Sequence, residues 1–195
     1  MYKLGQERSS LDAGLAYAGL RPGEALALQW GDIGEHAIHV LRSVSFGEAK
    51  GTKTGARRSV PILAPLRADL NELRMASGRP PNSALVFPAP DGGLWDDGRY
   101  RRWRRGAFKS AIVAAGLDPE TRVYDLRHAY ASLMIKSGLN VVEVAARLGH
   151  SPSVCLGTYA HVFEELGAGA IDPEHAILAA RLKLGAKQVL SRGLR

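Results

Sequence analysis

Residues 124–162 read YDLRHAYASLMIKSGLNVVEVAARLGHSPSVCLGTYAHV. The spacing of apolar residues predicts a helix from Asp125 to Lys136, with Gly138 as its left-handed stop. Asn140 then caps a short helix, and Glu143 at the third helical position completes a capping-box-like pair. Gly149 ends that helix. Ser151-Pro152 opens the next, with serine as cap and proline in the first turn. The stretch is therefore a run of short helices with readable ends. It carries Arg127-His128 in the first helix, His150 behind the stopping glycine, and Tyr159 in the last.

Upstream, residues 10–29 read as helix, turn and helix. Leu11, Leu15 and Ala18 mark one apolar face, Pro22 and Gly23 break it, and Glu24 to Gln29 resume it. Alternation follows at residues 37–41, and β-branched residues return at 59–62, with the basic turn KGTKTGARR between them. These read as two strands of a small antiparallel sheet, with Leu85-Val86-Phe87 as a third element. Residues 65–77 form a further helix, followed by a Pro/Gly loop through Gly93. Asp96 or Asp97 caps a helix that runs to about Ala115. Tyr100, Trp103, Ala107 and Ala111 point its apolar face to the core, which leaves Arg101, Arg102, Arg104 and Arg105 on other faces. A last helix runs from Asp172 to about Leu190, with Ile177, Ala180 and Leu184 as its stripe. The fold class is α+β, mostly helical, with a small antiparallel β-sheet.

At 195 residues the chain is long enough to bury a core as one domain with a tail. Hydrophobic content of 46% and charged content of 23% are those of a globular chain, not a disordered one. A net charge of +7 and a pI near 9.8 favour a polyanionic partner, nucleic acid before membrane. No apolar run approaches the roughly 18–20 residues of a membrane span, and the polar N-terminus lacks the apolar centre of a signal peptide. The single Cys155 excludes an internal disulfide and fits a reducing cytoplasm. His128, His150, His161 and His175 with Cys155 show no metal-ligand spacing, so no metal is expected.

Five positions call for a joint explanation. Arg21 sits in AGLRPGEAL, and Lys53 in the KTG turn. Arg127 is a charge in an apolar helix start, where it needs a partner or a ligand. His150 and Tyr159 complete the set. Each alone has an ordinary reading: a capping arginine, a hairpin lysine, a packing tyrosine. Together they make chemical sense if a phenol attacks a phosphodiester, since that attack needs cations for the phosphate oxygens and a partner for the proton.

Here the chain resembles the tyrosine recombinase family, also called the phage integrase family. The likeness rests on GLRPGEALALQWGDI (19–33), KTGARRSVPI (53–62), YDLRHAYASLMIKSG (124–138), LGHSPSV (148–154) and TYAHV (158–162). It implies that family's catalytic-domain fold and site-specific cleavage and rejoining of double-stranded DNA, with neither ATP nor metal. Arg21 and Arg127 would clamp the scissile phosphate, and Lys53 would protonate the leaving 5′-oxygen. His150 matches the family's third-block imidazole, and Tyr159 its nucleophile. Arg57, Arg58, Arg101, Arg102, Arg104 and Arg105 are expected on the DNA, with the chain assembling as a tetramer there. The tail helix would exchange between copies or pack on its own domain.

Two departures follow. The family most often has histidine three positions before its second arginine, and here Tyr124 stands there. A tyrosine holds a hydrogen bond to phosphate but accepts a proton poorly, which leaves the base to His150 or to water. His128 is expected to be structural, and Glu24 and Asp32 to support arginines. With 20 residues ahead of Arg21, residues 1–170 are expected to be the catalytic domain and 171–195 a helical tail, without an N-terminal DNA-binding domain. A different class also fits residues 139–159, a helix-turn-helix regulator without catalysis. That reading leaves Arg21, Lys53 and Arg127 unexplained. A type IB topoisomerase shares the chemistry, but the LGHS and TYAHV blocks look more like an integrase.

Overall fold

The computed structural model describes residues 11–167 apart from 13, 46–47 and 52–56. The chain forms two compact units, residues 1–159 and 160–195. Of the second, the described part is the end of one helix. The boundary expected at 170 and the last helix from Asp172, with Ile177, Ala180 and Leu184, lie outside the described residues.

Helix α1 (11–18) buries Leu11, Leu15 and Ala18, the face read from their spacing. The break comes at residues 19–21, not at Pro22-Gly23. Arg21 is the extended N-cap of α2 (Pro22–Leu26), and Pro22 occupies its first turn. A proline there loses no hydrogen bond, because the first amides of a helix have no intrahelical acceptor. A 3₁₀ turn follows at Trp30–Asp32.

Strand β1 (Ala37–Val40) pairs antiparallel with β4 (Arg58–Pro61), with Ile38 opposite Val60 and both buried. Between them the chain adds a second hairpin, β2 (Arg42–Ser45) with β3 (Glu48–Gly51). The expected single sheet is therefore two two-stranded sheets. Residues 85–87 join neither: Leu85 makes a lone bridge to Gln29, while Val86 N donates to Leu28 O at 2.8 Å. Pro88 ends this run, since it has no amide to continue a ladder. Trp95 Nε1 donates to Phe87 O at 2.8 Å and pins the following loop.

Helix α3 (Ala64–Ala76) buries Leu66, Leu70 and Leu73. The helix predicted after Asp96 is present, with Asp96 accepting from Arg99 N at 2.7 Å, but it has three parts. These are α4 (Asp97–Trp103), a π turn (Arg104–Phe108) and α5 (Lys109–Ala114). The wider π turn holds one extra residue, which shifts the stripe. Trp103 is followed in the core by Phe108 and Ile112, whereas Ala107 and Ala111 are only half-buried.

Helices α6 (Val123–Lys136) and α7 (Val141–Leu148) fall where the sequence puts them. Asn140 Oδ1 accepts from Val142 N (2.9 Å) and Glu143 N (3.1 Å), and Glu143 Oε2 accepts from Asn140 N (2.9 Å). Gly149 is the left-handed stop, at φ 65°. Ser151 Oγ accepts from Val154 N at 3.3 Å and starts α8 (Pro152–Gly167), whose backbone leaves helical geometry at Tyr159 (φ −120°, ψ 15°). Tyr130 and Ile135 of α6 and Val144 and Leu148 of α7 are buried, and each such side chain stabilises the fold by about 1.5–3 kcal/mol. This packing fixes the C-terminal end of α7 beside the N-terminal half of α6, and the candidate site is built there.

Candidate active site

Arg127 projects from α6 into the interior and is 1% exposed. Its Nη1 donates to Gly19 O, and its Nη2 to Leu148 O and to His150 Nε2, the last at 3.1 Å. Burial, and then the charge of Arg21, lower its pKa to about 10, so it remains cationic at neutral pH. Gly19 makes the first of these contacts possible. Its φ is 58°, and a Cβ there would lie 2.3 Å from Tyr130 Cδ1, so only glycine brings this carbonyl to the guanidinium.

Arg21 reaches the same place from α2. Its backbone N donates to Glu24 Oε2 (2.7 Å), its Nη1 to Glu24 Oε1 (3.0 Å) and its Nη2 to Gly149 O (2.9 Å). Glu24 is 4% exposed, and burial alone would raise its pKa. The hydrogen bonds and charge of Arg58, then those of Arg21, overcome that and hold it below the ordinary value. Asp32, also buried, accepts from Arg42 Nη2 and Gln29 N. Both acids thus support arginines.

Arg58 corrects the sequence reading. It was expected on DNA, but it lies inside. Nη1 and Nη2 fork onto Glu24 Oε1 (2.7 Å) and Oε2 (2.6 Å), and Nε donates to Arg147 O (2.9 Å). Three successive carbonyls at the end of α7 therefore each accept from a different arginine: Arg147 O from Arg58, Leu148 O from Arg127, and Gly149 O from Arg21. Those carbonyls are the negative end of the helix, which is where cations are stabilised.

His150 follows directly. Its Nε2 faces an Arg127 N–H, which only donates, so Nε2 accepts and the ring proton sits on Nδ1. Burial, then Arg127, Arg21 and Arg58, lower its pKa to about 4, so the ring is neutral at pH 7. His150 Nδ1 and Arg127 Nε are both buried without a hydrogen-bond partner among the described residues. Two unpaired donors thus lie in a cluster of guanidinium groups.

Tyr159 sits at the kink of α8, 2% exposed, with its Oη 2.9 Å from His128 Nδ1. Burial raises its pKa above the ordinary phenol value, against a lowering by Arg127. Tyr124, 40% exposed, packs edge-on against the His128 ring, with centroids 5.2 Å apart. Tyr124 and His128 open on a cleft of about 690 Å³ lined also by Arg104, Arg105, Lys109 and Arg122. Arg57, Arg101, Arg102, Arg104 and Arg105 are exposed. Lys53 lies outside the described residues. The structure thus brings Arg21, Arg127 and His150 together, with Tyr159 held one residue along α6 by His128. Arg58 and His128 are the two functional candidates that the sequence placed elsewhere. Arg58's signal is its acidic partner, which lies 34 positions upstream.

Fold and site define a mostly helical α+β protein with a cluster of arginines beside a buried phenol. Residues 8–165 match the phage integrase family. The chain is 30% identical over 158 residues to the tyrosine recombinase XerC of Xanthomonas axonopodis pv. citri, covering 81% of this chain and 48% of that protein. Its fold is that of the Tn1549 transposon integrase solved with transposon right end DNA (17% identity, TM-score 0.65, covering 90% of this chain and 58% of that one). The XerA recombinase shares it as well (16% identity, TM-score 0.62, 93% of this chain and 58% of that one). The chain belongs to the phage integrase family. It spans about half the length of the curated relatives it matches over most of its own length.

Proposed function

We propose that this chain cleaves and rejoins DNA strands at specific sites through a 3′-phosphotyrosyl link at Tyr159. The observation that carries the proposal is the pair of unpaired buried donors, Arg127 Nε and His150 Nδ1, inside an arginine cluster beside a buried tyrosine. A phosphodiester oxygen is the anion that such a site lacks. Arginine forks meet phosphate oxygens with charge-assisted bonds that strengthen as charge builds in the transition state. The family supports the same reading, as do neighbours solved with DNA, such as the Tn1549 integrase.

In this proposal Arg21 and Arg127 clamp the non-bridging oxygens and His150 donates a third hydrogen bond through Nδ1. Tyr159 Oη attacks phosphorus, the P–O5′ bond breaks, and Lys53 delivers the proton to the departing 5′-oxygen. The link keeps the phosphodiester's energy, so a second 5′-hydroxyl reverses the step without ATP. Tyr124, at the cleft mouth, holds a phosphate oxygen. The exposed arginines 57, 101, 102, 104 and 105 track the backbone of double-stranded DNA, and exchange between two duplexes takes a tetramer on DNA, in the cytoplasm. A helix-turn-helix reader has no use for three arginines gathered on the end of its first helix.

The test is a pool of randomised duplexes carrying a nick, which traps the covalent product. The expected result is an adduct that survives denaturation, is lost in Tyr159→Phe, and leaves DNA binding by that variant within about twofold. An adduct that persists in Tyr159→Phe refutes the nucleophile. No adduct from the wild type refutes the strand-transfer reading.

A further inference from the structure

We infer that His128 is the proton acceptor for Tyr159, so that the base of this site stands next to Arg127 in the chain instead of three positions before it. The inference rests on the strand-transfer reading and deepens it. A buried phenol with a raised pKa is a weak nucleophile until its proton is withdrawn. Three groups are candidates to take the proton. Tyr124 is itself a phenol. His150 has its Nε2 bound to Arg127, and its remaining ring nitrogen carries the proton, so it has no lone pair to offer. His128 is different: its Nδ1 lies 2.9 Å from Tyr159 Oη, within the reach that proton transfer needs.

The surroundings suit the role. The His128 ring is held between two aromatic rings, Tyr124 at 5.2 Å and Tyr159 at 5.7 Å between centroids. His128 also lines the cleft. The step uses the tautomer in which Nδ1 presents its lone pair to the Tyr159 hydroxyl. As the Tyr159 O–P bond forms, the phenolic proton passes to the Nδ1 lone pair and His128 becomes an imidazolium. The P–O5′ electrons leave with the 5′-oxygen, which takes its proton from Lys53. In rejoining, a 5′-hydroxyl attacks phosphorus and gives its proton back to the Lys53 amine, the tyrosine oxygen departs, and the imidazolium returns its proton to that oxygen. The substitution of histidine by Tyr124 is thereby accounted for, because the base it would supply is present one residue beyond Arg127.

The experiment measures the single-turnover rate of adduct formation on the nicked duplex pool. His128→Asn puts an amide oxygen where Nδ1 stood, keeping the hydrogen bond to Tyr159 without accepting its proton; His128→Gln serves as the second variant. The expected loss is ~10²–10⁴-fold in rate, with DNA binding unchanged. The decisive arm replaces Tyr159 by a fluorinated tyrosine whose phenol ionises near neutrality. A phenol already ionised needs no base, so the penalty of His128→Asn should then shrink to less than about tenfold. A loss that the fluorinated nucleophile does not relieve means His128 only positions the ring, and overturns the inference. A rate within about threefold of wild type in both variants overturns it too, while leaving the strand-transfer reading intact. Absence of any adduct from the wild type overturns that reading, and this one with it.

Discussion

Replacing Arg58 by methionine removes one partner of a buried pair and leaves the other in place. Arg58 gives Glu24 two hydrogen bonds, at 2.7 and 2.6 Å, and gives Arg147 O a third at 2.9 Å. Their side chains are 10% and 4% exposed, so water does not replace what is lost. Breaking a buried pair from one side costs roughly 3–5 kcal/mol. Glu24 keeps the Arg21 N–H and Nη1, so the low end applies, ~3 kcal/mol. That is a large part of an ordinary stability of ~5–15 kcal/mol. The loss also has a pH signature. In the wild type Glu24 ionises below its ordinary 4.5, so its stabilising share is complete above that pH and is lost as pH falls below it. In Arg58→Met the opposing effect of burial prevails, and the carboxylate becomes a penalty that grows as pH rises above about 4.5. Urea unfolding of both proteins at pH 7 and pH 4 should therefore show the larger difference at pH 7. Adding Glu24→Gln to the variant should recover part of it, because the unpaired charge is gone. A loss below ~1 kcal/mol at pH 7, or one equal at the two pH values, refutes the buried clasp.

Gly149→Ala combines a left-handed φ of 65° with a Cβ 3.0 Å from Arg58 Nη1, and should destabilise by about 1–2 kcal/mol in urea while slowing adduct formation. Alanine at Arg101, Arg102, Arg104 and Arg105 together should flatten the dependence of log affinity on log salt, by up to ~0.9 for each lost phosphate contact, with melting temperature unchanged. A slope that stays fixed places these side chains off the DNA. Asp12 has its pKa raised to about 7 by burial, so the stability linked to its neutral form is complete below 3.8 and is lost as pH rises through about 7. Asp12→Asn should therefore gain on wild type between pH 4 and pH 7 and level off above, and a pH-independent difference in urea midpoints contradicts this.

What was legible in the sequence was local. The Asn140–Glu143 cap, the Gly149 stop and the Ser151-Pro152 start are interactions between residues five apart or fewer, and the chain shows all of them. The start of α2 was misplaced because Pro22-Gly23 resembles a breaker, whereas the turn is made by Gly19, where a Cβ would collide with Tyr130 far along the chain. The π turn at Arg104–Phe108 has no sequence mark, and the period-based stripe slipped by one residue past it. The β2–β3 hairpin was hidden because its residues are polar or half-exposed and give no apolar alternation. Within the site, Arg21, Arg127 and His150 were legible as a set through the family blocks. Arg58 was not, since an arginine in a Gly/Thr-rich basic turn looks solvated until Glu24 is seen to face it. His128 was read as structural because its partner Tyr159 lies 31 positions along the chain.

Each of the three arginines at the end of α7 holds a peptide oxygen there, besides the Glu24 carboxylate that Arg21 and Arg58 share. A peptide oxygen does not titrate, and no codon change short of altering the backbone removes it. Arg147 and Leu148 can vary in side chain and still present the same acceptors. A one-residue insertion or deletion in α7 is another matter. It turns the helix end by about 100° and moves it ~1.5 Å, displacing all three acceptors in one event. The tolerance of this site to change is thus governed by the length of an eight-residue helix more than by the identity of the residues in it.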